Sequence, residues 1–251
     1  MASKSETGHA RNVANFRILI EHCATFGPQY NPGNTAIALA ALQTKLTQAE
    51  AALQGHIAVR VDYDNATNNR ELRFNELAGL TTRVVNALTA AGASPLTVKD
   101  AKSVVRKLRG QRAPKGVQPA AEQPAQPPLA EGLPVSRTVS ASQRSFDQMT
   151  ANFARLVQIV QSEPLYTPNE ADLNNAGLHA YLAALSTATA EVAVRAAAFT
   201  ASQGTRDAVL YDPHTGLAAL SQAVKAYVKS LYGQTSTQYH AVKGIDIRTT
   251  P

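Results

Sequence analysis

The chain has 251 residues and a mass of 26.6 kDa, room for one large domain or two small ones. With 44% hydrophobic residues it is not a wholly disordered chain, no long apolar run points to a membrane span, and a single cysteine, Cys23, rules out an internal disulfide framework. The net charge of +6 is local: Lys99, Lys102, Arg106, Lys107, Arg109, Arg112 and Lys115 face a single acid, Asp100, so the segment 99–115 carries the whole excess. Aromatic residues are only 6% of the chain and alanine is close to one in five, which argues against a large globular core and for slender, closely approaching helices.

Residues 1–11 are polar throughout and are expected to form a disordered tail. A secretory leader needs an apolar stretch of roughly 7–15 residues, and none stands there; with the lone thiol this gives a cytoplasmic setting as the expectation. Val13, Phe16, Ile20 and Cys23 then recur at three- and four-residue spacing and predict a first helix. Asn31-Pro32 reads as an N-cap followed by proline at the first helical position, opening a long second helix. Within it, residues 62–69 (Asp-Tyr-Asp-Asn-Ala-Thr-Asn-Asn) are poor helix formers, so the helix either continues or kinks there, or turns back as a hairpin. A third helix is expected from Leu80 to Ala91, closed by Gly92 in the left-handed cap position, and a fourth from Ser94-Pro95 to near Gly110.

Residues 110–142 hold six of the thirteen prolines and little apolar surface, which predicts a flexible, semi-extended linker. After it, Ser145 with Gln148 resembles a capping box, and Phe153, Val157 and Val160 repeat the first-helix spacing. Thr167-Pro168, with Glu170 completing a capping box, is expected to open a second long helix that meets no further proline until Pro213. Asp212 should cap the next helix, with Gly233 and Ser236 marking its end and the start of the last. No segment reads as a convincing strand.

These elements match in pairs. Asn15-Phe16 recurs as Asn152-Phe153, Leu19-Ile20 as Leu156-Val157, and Tyr30-Asn31-Pro32 as Tyr166-Thr167-Pro168. Leu42 and Leu46 match Leu178 and Leu182, Arg70-Glu71 matches Arg206-Asp207, and Gly79-Leu80 matches Gly216-Leu217, in unbroken order. The expectation is a tandem duplication: an all-α, elongated bundle of two four-helix units with a long second helix, at residues 12–109 and 143–248, folded back beside each other.

Chemistry is harder to find. His9, His22, His56, His179, His214 and His240 are scattered, with no i, i+4 pair of the kind that holds a metal on a helix. Cys23 lies on the apolar stripe of the first helix and reads as a core thiol. No nucleophile elbow, phosphate loop, dinucleotide fingerprint or paired carboxylates occur, so no catalytic, cofactor or metal residue is assigned. Of the residues matched between the copies, Asn15 and Asn152 suit backbone contacts and Tyr30 and Tyr166 suit a packed corner whose hydroxyl meets a carbonyl. Arg70 and Arg206 suit a carboxylate bridge between the copies or an anion.

The stretches Asn-Phe-x-x-Leu-Ile at 15–20, Tyr-Asn-Pro at 30–32, Leu-Tyr-Thr-Pro-Asn-Glu at 165–170, residues 139–146 and residues 212–217 together resemble a family of duplicated helical proteins of Bacteroidetes-type bacteria. The resemblance spans the chain outside its N-terminus and linker; it implies the domain boundaries and no activity.

Without visible catalytic chemistry, the expected function is that of a structural or protein-interaction module, not an enzyme, working with an unknown protein partner or by self-association and without a membrane. The alternative is nucleic-acid binding through Lys99, Lys102, Arg106, Lys107, Arg109, Arg112 and Lys115, a basic helix stripe running into a basic flexible segment. The absence of interleaved aromatic residues counts against it.

Overall fold

In the computed structural model, residues 4–111 and 145–250 are described. They are 79% helical, in seven α-helices with no strand among them. In chain order these are α1 (Lys4–Thr25), α2 (Leu39–Ala90), α3 (Pro95–Leu108), α4 (Phe146–Gln161), α5 (Asn175–Tyr211), α6 (Leu217–Tyr232) and α7 (Thr237–Lys243). Two compact units divide the chain: Met1–Ala66 with Ala193–Pro251, and Thr67–Val192. Both long helices, α2 and α5, contribute residues to each unit.

The first unit has its core on α1, where Phe16, Leu19 and Cys23 are fully buried, against Leu42, Leu210, Leu217, Val224 and Val228. Helix α1 begins at Lys4, so residues 4–11, read from sequence as a tail, are helical. His9 is only 2% exposed there, with Nδ1 2.6 Å from the Tyr211 hydroxyl. After α7, residues 246–248 lie against α1. Asn15 Nδ2 donates to the Asp246 carbonyl at 2.6 Å, and Asn12 exchanges two hydrogen bonds with the Arg248 backbone at 3.0 and 3.1 Å. Ile247 is buried by this arrangement.

The second unit is built around Phe153, Leu156 and Val160 of α4, packed with Leu77, Val84 and Leu88 of α2, Val104 of α3 and Leu178 and Leu185 of α5. Ser145 and Ser94 cap α4 and α3 through their hydroxyls, as their sequence positions predict, and Pro95 occupies the first turn of α3.

Four helix boundaries differ from the sequence reading. Pro32 and Pro168 open no helix; α2 starts at Leu39 and α5 at Asn175. The intervening residues form a corner instead. The Tyr30 hydroxyl donates to the Ile37 carbonyl at 2.8 Å, and the Tyr166 hydroxyl to the Leu173 carbonyl at the same distance. Asn174, not Thr167, caps α5 by accepting the Gly177 N–H at 2.8 Å, so the capping box expected with Glu170 does not form. A Cβ on Gly177 would stand 2.0 Å from the Ala171 carbonyl oxygen, so only glycine fits beneath the corner.

The third expected break, between a second and a third helix before Leu80, is absent, because α2 runs unbroken through Gly79. A lone glycine costs a helix only about 1 kcal/mol relative to alanine, and the buried Leu77, Val84 and Leu88 more than offset that. At the matching place Pro213 has no N–H and ends α5. Asp212 does not cap α6, whose N-cap is Gly216; it accepts the His214 and Thr215 N–H groups at 3.0 and 2.7 Å and holds a tight turn before α6 starts at Leu217. Those bonds hold its carboxyl below the ordinary aspartate range.

The poor helix formers at 62–69 stay helical, as do residues 202–205. Arg60 pairs with Asp64 one turn on, Arg195 with Asp62, and Tyr63 stacks on Phe199 at 5.8 Å between centroids. His56 stacks on Phe199 as well, at 5.1 Å. By length and composition alone, α5 also meets the criteria for a membrane-spanning helix, where the sequence reading excludes any span, and only 17% of its most apolar 18-residue window is buried. Alanine supplies much of that apolarity, and the large side chains Leu178, Leu185 and Leu210 are buried in the protein's own cores.

Candidate functional site

Helix α3 is strongly amphipathic. Val98, Ala101, Val104, Val105 and Leu108 are buried, and their spacing leaves Lys99, Lys102, Arg106 and Arg109 along one edge. Beside that edge runs the last third of α2. Between the two lies a groove of about 820 Å³, within the second unit.

The groove has three chemically distinct parts. One wall is cationic: Lys99, Lys102, Arg106 and Arg109. The opposite wall, from α2, is neutral and hydrogen-bonding: Thr82, Asn86 and Thr89. Val85, Val98 and Val105 form an aliphatic floor. Among the described residues, neither an acidic nor an aromatic side chain lines it. Arg109 spans the end of the groove, bonded to the Thr82 hydroxyl, and Arg106 is half-buried while Lys99 and Lys102 are exposed. The negative end of the α3 dipole favours the cations of its last turn, Arg106 and Lys107.

Of the seven basic residues singled out in the sequence, the structure thus brings four to one groove. Lys107 is exposed and does not line it, and Arg112 and Lys115 lie outside the described residues. The α2 wall had no sequence signal. Threonine and asparagine at 82, 86 and 89 gain meaning only once α2 is seen to continue past Gly79, which the four-helix reading had denied.

The other matched residues fall into place unevenly. Cys23 is fully buried, and burial pushes its thiol up to about 11. Arg206 pairs with its sequence neighbour Asp207 at 2.9 Å. Arg70 instead lies over the Phe146 ring, 4.0 Å from its centroid, and its Nε is buried without a hydrogen-bond partner. Asn152 Nδ2 is likewise buried and unpartnered, unlike Asn15 Nδ2. On the far side of α2, Arg83 pairs with Asp172, which draws that carboxyl below its ordinary range. No cluster of three or more histidine, cysteine, aspartate or glutamate side chains suited to a metal occurs among the described residues.

Comparison with protein-family models, with curated proteins and with solved structures finds no match.

Proposed function

We propose that this protein is a non-enzymatic interaction module, built by tandem duplication of a helical unit, that engages an anionic macromolecular partner through the groove between α2 and α3. The observation that carries the reading is four cations on one wall of an open groove that no acidic side chain lines among the described residues. Four arginines elsewhere on the surface are instead paired with acids: Arg17 with Glu50, Arg60 with Asp64, Arg83 with Asp172 and Arg195 with Asp62. A cationic wall left without carboxylates is a surface whose charge is matched from outside.

Duplication is supported by the tyrosine corner. The same hydroxyl-to-carbonyl bond, across the same seven-residue spacing, recurs in both units, with a fully buried phenylalanine before each.

The test is anisotropy of a fluorescein-labelled poly-glutamate peptide, with wild type and the triple variant Lys99→Gln/Lys102→Gln/Arg106→Gln. Exposed ion pairs contribute about 0.2–1 kcal/mol each, so the triple variant should bind between about threefold and a hundredfold more weakly. Wild-type binding should also weaken between 50 and 200 mM salt as screening shortens. Absence of binding, or binding indifferent to the three substitutions, refutes the reading.

A further inference from the structure

The α2–α3 groove carries more information than its charge, and we infer that its partner is an amphipathic α-helix with an aliphatic stripe flanked on one side by acidic residues. This rests on the groove being the docking surface and specifies what docks there.

The charges are ordered. Lys99, Lys102, Arg106 and Arg109 are spaced i, i+3, i+7 and i+10 on a regular helix, a straight row about 15 Å long. A row of that length matches three turns of a partner helix carrying carboxylates at the same three- and four-residue intervals. Val98 and Val105 repeat every seven residues beside the row and, with Val85 opposite, give a floor that accepts aliphatic side chains from the partner's core-facing stripe. The third part is decisive between polyanions. The α2 wall is neutral, so a ligand charged on all sides, such as poly-glutamate, would engage the cationic wall with only part of its charge and bind more weakly than one charged on a single flank. A helix with one acidic flank and one neutral polar flank matches both walls. Nucleic acid fits poorly: its phosphates would meet the neutral wall, its bases would find no aromatic platform, and the valine floor would go unused.

Three probes separate the possibilities, all with the full chain: a 21-residue helical peptide with leucine at a and d and glutamate at e, a scrambled peptide of identical composition, and a 20-nucleotide single-stranded DNA. The amphipathic peptide should bind at least tenfold more tightly than the scramble, and the DNA no more tightly than the scramble. The variant Lys99→Glu/Lys102→Glu/Arg106→Glu should lose the glutamate peptide by a factor of ten or more. It should gain a peptide of the same pattern with lysine for glutamate, and that rescue excludes simple unfolding. Equal binding of ordered and scrambled peptides overturns the helix while leaving a cationic groove that docks anions. Tighter binding of DNA overturns it in favour of nucleic acid. If none of the three probes binds, the inference falls together with the docking groove.

Discussion

Tyr166 offers the sharpest test of how the second unit is held. Its ring is 4% exposed and its hydroxyl donates to the Leu173 carbonyl at 2.8 Å, closing the corner between α4 and α5. Tyr166→Phe removes the donor and leaves a buried carbonyl unsatisfied, a loss of about 1–3 kcal/mol. For a unit of this size each kcal/mol lowers Tm by roughly 3–6 °C. The same bond also has a pH signature. Burial, with smaller contributions from Glu170 and Asp172, pushes the Tyr166 hydroxyl up to about 12 from an ordinary value near 10. A raised folded value means the folded state holds the proton more tightly than the unfolded state. The stabilisation is therefore complete below pH 10 and declines as pH rises from 10 towards 12. Urea unfolding of wild type and Tyr166→Phe at pH 8, 10 and 11 isolates this group, since the other tyrosines cancel in the difference. The difference should be 1–3 kcal/mol at pH 8 (about 1–3 by the same hydrogen-bond magnitudes) and smaller at pH 11. A difference that does not change with pH, or one below about 0.3 kcal/mol at pH 8, would show that the corner does not depend on this hydroxyl.

Other substitutions probe neighbouring claims. Tyr30→Phe should cost about as much as Tyr166→Phe if the two corners are equivalent, and a twofold disparity in the urea midpoint shift would argue against equivalence. Gly177→Ala forces a methyl against the Ala171 carbonyl and should lower Tm by more than the substitution Gly55→Ala, whose Cβ meets nothing and which is expected to stabilise helix α2. Asn15→Ala should cost about 0.5–1.5 kcal/mol through loss of the bond to Asp246, whereas Asn152→Ala removes an unpartnered buried donor and should be neutral or stabilising in the same urea assay. Cys23, with its thiol near 11, is about one part in a thousand thiolate at pH 8, so an aromatic disulfide reagent should label it only after unfolding. Rapid labelling of the native protein would place the thiol at the surface.

Much of the fold was legible because its determinants are local. The apolar spacing of Phe16, Ile20 and Cys23, the serine caps at 94 and 145, the left-handed Gly92 and Gly233 and the Asp212-Pro213 interruption are each read over a few residues, and each has its counterpart in the structure. The misreadings share one cause. Pro32 and Pro168 carry a genuine helix-opening signal, but the tyrosine two residues earlier needs the chain to turn first so that its hydroxyl can reach a carbonyl seven residues on. Residues 62–69 are not among the misreadings: the continuous helix that the sequence reading allowed is what forms, with Tyr63 stacked on Phe199 from far away in the sequence. The basic stripe was visible from its period. The groove was not, because its other wall is made of residues with no distinguishing charge.

On the proposed duplication, the three matched pairs differ in whether the interaction is kept along with the residue. Tyr30 and Tyr166 do the same work because donor and acceptor lie within one short stretch, so copying the stretch copies the bond. Asn15 and Asn152 do not, because the partner of Asn15 is the Asp246 carbonyl, which comes from the end of the other copy. Arg70 and Arg206 diverge likewise: Arg206 has an aspartate beside it, while Arg70 rests on Phe146, where the aligned residue is His9. The same reasoning applies to the groove. Helix α3 has fourteen residues and its aligned counterpart α7 only seven, of which His240 and Lys243 are the basic ones. On the proposed duplication, a groove confined to one copy is what specialisation would produce: the shared corner would serve as scaffold and the longer α3 as the proposed docking surface.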